Sequence, residues 1–187
     1  MCQPHWCSYL HLRLFVLLGI SLLSTLIPNH TYARALPTLP AARPVTVVQQ
    51  SSFDCSAVTE IPQSECAALV DLYNSTNGPG WVNPSGWLAT PTPCSWFGVT
   101  CSGGHVIHVD LPLNQLSGAL PDSLGNLTGL IRLDLMSNQL SGTIPTTLGN
   151  LSSLLNLLLS NNQLSGTIPV ALGNLTNLEQ LYLYSNQ

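Results

Sequence analysis

Two aspartates, Asp110 and Asp134, stand 24 residues apart, each two residues after a polar partner, His108 and Arg132. A carboxylate pair is the equipment of acid–base hydrolysis, and an aspartate with a histidine and a serine is that of nucleophilic attack. Neither chemistry is the better reading. A general base needs a site that strips water from it, and a serine nucleophile needs a sharp glycine-flanked elbow, which is missing. Only His105 and His108 lie beyond residue 33, and the chain contains no lysine, so a Schiff base is excluded. No phosphate-binding glycine loop is present. Arg132 offsetting two aspartates in a solvated ion-pair patch accounts for these residues more simply. No catalytic residue and no cofactor are assigned, and the chain is not read as an enzyme.

Charge excludes further classes. Four arginines, Arg13, Arg34, Arg43 and Arg132, face eight acidic residues among 187, a net charge of −4. Nucleic-acid binding and a polybasic membrane site both need a basic stripe, so neither is expected. The longest apolar run, Leu14 to Ile27, is fourteen residues, short of the roughly 20 that span a bilayer. It follows Arg13, stops at Pro28 and precedes the small-residue site ending at Ala33, so residues 1–33 read as a cleaved signal peptide. The product is then secreted, extracellular or at the cell surface. A membrane attachment would require an anchor beyond Gln187.

Four cysteines remain after cleavage: Cys55, Cys66, Cys94 and Cys101. An even number behind an export signal implies disulfides, with three possible connectivities. Zinc is not expected, because separations of eleven, twenty-eight and seven contain no C-x-x-C pair. Short loops close at the lowest entropic cost, which favours Cys55–Cys66 and Cys94–Cys101.

The elements that hold these residues follow from a repeat. From Val106 the sequence recurs every 24 residues, as 106–129, 130–153, 154–177 and a partial 178–187. Apolar residues occupy positions one, four and six, from Val106, Val109 and Leu111 to Leu178, Leu181 and Leu183. Position nine is always asparagine: Asn114, Asn138, Asn162 and Asn186. Leu-Ser-Gly then begins at Leu116, Leu140 and Leu164, followed by Pro121, Pro145 and Pro169. Each repeat is one turn of a coil, with a short strand whose positions four and six point inward. The asparagine amide, carrying donors and acceptors, satisfies backbone groups buried where the chain bends, so the four asparagines form a structural ladder. An irregular return path closes over Leu124, Leu148 and Leu172. One coil cannot bury its own leucines, so stacking creates the core.

Before the repeats, residues 34–53 read as a proline-containing linker and 54–105 as a cap. Within the cap, Cys66, Leu69, Val70 and Tyr73 form one helical face, begun by Ser64 and ended at Gly78-Pro79-Gly80. Trp81, Trp87 and Trp96 fall within sixteen residues. They could make a carbohydrate platform, but sealing a small core is the favoured role. On the strands, position three presents His108, Arg132, Asn156 and Gln180, and position five presents Asp110, Asp134, Leu158 and Tyr182. Position seven presents Pro112, Met136, Ser160 and Tyr184, and position eight Leu113, Ser137, Asn161 and Ser185. From these exposed columns, Asp110, Arg132, Asp134, Tyr182 and Tyr184 are the candidate partner-binding residues. Asn-x-Ser/Thr sequons at Asn74, Asn126, Asn150 and Asn174 are read mainly as part of the repeat.

The Leu-Ser-Gly-x-Ile-Pro pattern resembles the plant-type leucine-rich-repeat family. Tyr73-Asn74, the tryptophans and Pro93-Cys94 through Cys101 resemble its N-terminal cap, as in plant receptor-kinase ectodomains and polygalacturonase inhibitors. The resemblance covers residues from about 54 to 187. It implies an α/β repeat solenoid: a right-handed superhelix with short parallel strands on its concave face and a disulfide-bonded N-terminal cap. It also implies recognition of a protein or glycan partner through that face. Cys55 and Cys66 are not the usual plant cap entry. With the uniform Asn-Gln-Leu-Ser-Gly runs, they resemble secreted plant-type repeat proteins of some bacteria, a grouping outside plant immunity and development. Two other expectations stand beside recognition: a structural or adhesive surface protein, or a receptor-like ectodomain cut short within its fourth repeat.

Overall fold

A computed structural model describes residues 53–187. The signal peptide, Cys2, Cys7 and nearly all of the linker lie outside the described residues. Phe53, grouped with the linker by sequence, belongs to the cap: it meets Trp96 edge-on, with centroids 5.3 Å apart.

Among the described residues there is one α-helix, α1 (Gln63–Ser75), and it starts one residue before Ser64. Pro62 is the N-cap and no side chain caps the end, so Ser64 sits inside the first turn. Proline there needs no amide hydrogen and has its φ preset. The helix stops where Asn77 turns left-handed ahead of Gly78-Pro79-Gly80. Its buried face is Glu65, Cys66, Ala68, Leu69 and Leu72. Val70 and Tyr73, expected inside, pack half-buried at its rim. The tryptophans are core: Trp81, Trp87 and Trp96 are 5%, 3% and 1% exposed. Their indole N–H groups donate to the carbonyls of Thr76, Phe97 and Thr90, so these three rings do not form an exposed platform for sugar. Cys55 is bonded to Cys66 and Cys94 to Cys101.

Strands β1 (Val99–Ser102) and β2 (His105–Asp110) form an antiparallel hairpin across Gly103-Gly104. Both glycines have positive φ (59° and 80°), as a two-residue hairpin turn requires. The hairpin stitches the cap onto the repeats. The others are β3 (Ser117–Ala119), β4 (Arg132–Asp134), β5 (Gln139–Gly142), β6 (Asn156–Leu158), β7 (Gln163–Leu164) and β8 (Gln180–Tyr182). They sort into a five-stranded sheet, β1-β2-β4-β6-β8, parallel from β2 onward, and a three-stranded parallel sheet, β3-β5-β7. The return path is therefore more regular than expected. The Leu-Ser-Gly runs pair into the second sheet, and Asp122–Asn126, Thr146–Asn150 and Val170–Asn174 wind as 3-10 turns.

The core is a stack of leucines. Leu111, Leu116, Leu124, Leu127, Leu130, Leu133, Leu135, Leu140 and Leu148 are fully buried. At roughly 1.5–3 kcal/mol for each such side chain, burial of this row is the main force holding the coils together. The asparagine ladder runs beside it. Asn138 Oδ1 accepts from the amides of Asn114 and Leu116, each at 3.0 Å, while its Nδ2 donates to the carbonyls of Leu111 and Leu135. Asn162 repeats this between Leu140, Leu135 and Leu159, and Asn186 between Leu164, Leu159 and Leu183. Each amide thus joins its own coil to the one before. Asn114 has a cap loop before it, and there it accepts from the Asn83 amide at 2.7 Å. The cap also meets the coils at Gly118 (φ 122°), where a side chain would collide with the Ser75 carbonyl.

Candidate functional site

The parallel register builds the site. His108 lies beside Arg132, and Asp110 beside Asp134. Position three of one strand is diagonal to position five of the preceding strand and two residues from position five of its own, so the Arg132 guanidinium reaches both carboxylates. Its Nε donates to Asp110 Oδ1 at 2.6 Å and its Nη2 to Asp134 Oδ2 at 2.5 Å. Asp134 Oδ1 also accepts the Met136 amide at 3.1 Å. The hydrogen bond from Asp110 is the largest cause holding Arg132 above its ordinary pKa, with the charges of Asp110 and Asp134 adding to it against partial burial. The arginine is therefore a fixed cation whose side chain, 35% exposed, is oriented from two sides.

Asp134 differs from expectation. Its side chain is 8% exposed against 37% for Asp110, because Arg132 and the Met136 amide cover it. Asp134 therefore positions Arg132, whereas Asp110 and Arg132 remain reachable. Leu158 and Ser160, expected to face solvent, are buried too. They sit mid-sheet, Leu158 between Asp134 and the larger Tyr182, and Ser160 between the larger Met136 and Tyr184. Position eight is not a binding column. Leu113, Ser137, Asn161 and Ser185 all have positive φ (55° to 57°) and make the turn into the ladder asparagine.

Tyr182 and Tyr184 are 40% and 57% exposed, with ring centroids 6.0 Å apart. Strand β6 separates them from β4, so the five candidate residues form two clusters on one sheet face. Strand spacing sets these about 10 Å apart. Two depressions on the described surface lie elsewhere. One of 160 Å³ is lined by Ile144, Leu164, Ile168 and Leu183. The other borders Phe53, Cys55, Ala67 and Val70. Asp110 stands open, Asp134 is covered by Arg132 and the Met136 amide, and both are tied to the same arginine, so the arrangement offers oriented charge rather than a free base.

One polar cluster escaped the sequence. Glu65, 1% exposed on α1, accepts the Val106 amide at 2.8 Å and meets His105 Nδ1 at 2.6 Å. It locks the cap helix to the first repeat strand. The signal was present, since Glu65 adjoins Cys66 on the face that had to turn inward, but its partner lies 40 residues on.

Comparison with known proteins gives a consistent result. Residues 129–187 match the family described as Leucine rich repeat, and residues 62–102 the Leucine rich repeat N-terminal domain. Over 79 residues the chain is 36% identical to the leucine-rich repeat receptor protein kinase EMS1 of Arabidopsis thaliana, covering 42% of this chain and 6% of that protein. The BIR2 ectodomain structure from Arabidopsis thaliana is similar at 35% identity and a TM-score of 0.51, covering 70% of this chain and 69% of BIR2. The Arabidopsis receptor kinase HAESA ectodomain, solved with an IDA peptide hormone ligand, is 32% identical with a TM-score of 0.53, over 67% of this chain and 22% of that one. The chain thus spans a small part of the receptor kinases and most of the BIR2 ectodomain. No helix among the described residues is long and apolar enough to cross a membrane. With its 24-residue register, its asparagine ladder, its disulfide-bonded cap and these matches, the chain belongs to the plant-type leucine-rich-repeat family.

Proposed function

We propose that this chain is an extracellular recognition region that takes a peptide or protein partner on its concave sheet and performs no catalysis. The observation that carries the reading is the Arg132 guanidinium, oriented by Asp110 and Asp134 on an open face that also displays Tyr182 and Tyr184. Oriented charge and exposed aromatics on rigid strands are the groups that dominate interface energies. HAESA was solved with a peptide hormone, so a peptide is favoured over the glycan also considered. The named relatives are plant proteins, and the bacterial likeness of the Cys55 and Cys66 segment gains no support from them.

The test is site-specific photo-crosslinking in extracellular fluid. A crosslinker at Gln180, exposed on the open face, is expected to capture a discrete partner, and one at Thr128, on the return path, is not. Alanine at Asp110, Arg132, Asp134, Tyr182 and Tyr184 together is expected to abolish capture. Equal capture from both positions would overturn the assignment of the face. Capture from neither would favour the second reading, a structural or adhesive surface protein, for which the near-identical repeats speak.

A further inference from the structure

Of the seven polar residues buried among the described residues, six have hydrogen-bonded side chains. The Thr76 hydroxyl, for one, donates to the Leu72 carbonyl at 2.6 Å. Ser160 is the exception: it is fully buried, and its Oγ has no hydrogen-bond partner among the described residues. Ser123 Oγ on the return path is unpaired too, but that residue is half-exposed. A buried hydroxyl without a partner has given up its bonds to water and gained none in exchange.

The place of Ser160 in the sheet explains its burial. It stands at repeat position seven, where the coils on either side carry Met136 and Tyr184. The Ser137 amide donates to the Ser160 carbonyl and the Asn161 amide to the Tyr184 carbonyl, each at 3.0 Å, which sets the three residues side by side. A serine between two long side chains makes a slot in the face, and here that slot is closed to water. One wall is free to move. The Tyr184 ring is mostly exposed and lies beyond the end of β8, so turning it outward sacrifices little packing.

The slot has a definite chemistry. Met136 supplies a polarizable thioether and Tyr184 an aromatic face, both of which attract a ring. Ser160 supplies a hydroxyl at the base, able to donate or accept. An aliphatic side chain entering here would leave that hydroxyl unpaired. A charged one would be buried without a counter-ion, since Arg132 is already held by Asp110 and Asp134. A ring with a single hydroxyl at its tip satisfies all three residues. We propose that Met136, Ser160 and Tyr184 form a closed subsite on the strand face, which opens as the Tyr184 ring turns outward and takes one phenolic side chain of the partner, its hydroxyl bonded to Ser160 Oγ. This rests on the reading of that face as the recognition surface, and it names the chemistry the face selects. The hydroxyl that is unpaired in the free protein becomes paired in the complex, so it discriminates against a ring that lacks the polar tip.

The test uses the full chain and two small probes. Its methionines are Met1 and Met136, so carbon-13 labelling of methionine methyls gives a reporter inside the subsite, assigned by its loss in Met136→Leu. N-acetyl-tyrosinamide is expected to shift the Met136 methyl resonance saturably. N-acetyl-phenylalaninamide, which lacks only the hydroxyl, should bind about tenfold more weakly. Ser160→Ala should remove that difference, and Tyr184→Ala should weaken both probes. In the free protein, Ser160→Ala is expected to leave the melting temperature unchanged or to raise it. A silent methyl with the tyrosine probe, or equal binding of the two probes by the unsubstituted chain, overturns the proposal. So does a lowered melting temperature in Ser160→Ala, which would make the hydroxyl a structural group. Crosslinker capture at Gln180 separates this result from the wider reading. Capture with a silent Met136 methyl overturns the subsite alone, whereas a methyl response without capture supports the subsite and overturns the strand face as the place where a partner is held.

Discussion

The cap and the coils solve the same burial problem by opposite means. In residues 53–105 no local pattern repeats, and each contact is made once. Trp87 meets Tyr73, Trp81 and Trp96 at centroid distances of 6.0, 4.9 and 5.0 Å, two disulfides close short loops, and one buried carboxylate joins α1 to β2. In residues 106–187 there is no cross-link, and a single contact set recurs: leucine on leucine, asparagine amide to neighbouring backbone. A non-repeating segment must concentrate its stability in a few large or covalent contacts. A periodic one can spread it over equivalent rungs.

The largest expected effect tests the concentrated half. Trp96→Ala removes a side chain that is 1% exposed and touches both Phe53 and Trp87. A loss of about 3–5 kcal/mol is expected from denaturant unfolding. A cost no greater than that of one ladder asparagine would break the comparison. The next effect tests the distributed half. Asn138→Ala strands the amide of Leu116 and the carbonyls of Leu111 and Leu135 in buried surroundings, at a cost of roughly 3 kcal/mol. Asn186 makes the three corresponding bonds, to the Leu164 amide and the Leu159 and Leu183 carbonyls, but is only half-buried, so Asn186→Ala should cost about 1 kcal/mol. Hydrogen exchange at Leu116 and at Leu164 reads the two rungs separately. Equal losses would show that position along the stack does not matter.

The same division governs what could be read from the residues alone. In the coils, 24-residue periodicity made the strands, the leucine core and the asparagine ladder legible, because one structural solution is written four times. The second sheet was not legible. Leu-Ser-Gly pairs only when coils stack, and two or three polar residues carry no strand pattern of their own. Burial on the open face was missed for a related reason. Alternation assigns Asp134, Leu158 and Ser160 outward, but Arg132 and the Met136 amide fold over Asp134, and the neighbouring side chains decide whether Leu158 and Ser160 meet water. In the cap the helix and the tryptophan core were legible from apolar spacing. Glu65 with His105 was not, since a contact made once across 40 residues leaves no repeated trace.

A smaller effect comes from the one coil that departs from its siblings at the turn. Position eight is left-handed in every coil, and where Asn161 stands in the third, Leu113 stands in the first, at φ 57° and 73% exposed. A leucine there makes no buried contact to offset its backbone strain, which asparagine tolerates better. Leu113→Asn should stabilise the protein by about 1 kcal/mol, raising the melting temperature without changing the denaturant slope. A neutral result would mean that the turn is set by its neighbours rather than by residue type.

The smallest effect separates charge from neutral amide as the means of holding a turn. Asp54 opens the cap, where its carboxylate accepts the Ser56 amide at 2.8 Å ahead of the short helical turn Cys55–Ala57. The Ser56 side chain, then the Ser56 amide, holds the Asp54 carboxyl below its ordinary pKa. A depressed folded value makes the contribution present above the unfolded pKa of about 3.9, and it is lost as pH falls through the folded value. The ladder asparagines do not titrate, so their bonds should persist across that acid range. A carboxyl NMR titration should give Asp54 a lower midpoint in the folded protein than in the denatured chain. The Ser56 amide resonance should move with it, while those of Leu116 and Leu140 stay fixed. Asp54→Asn keeps the acceptor and should remove the Ser56 shift. An ordinary midpoint for Asp54, or a Leu140 amide that follows the same titration, would show that the two turn-holding devices are not separable.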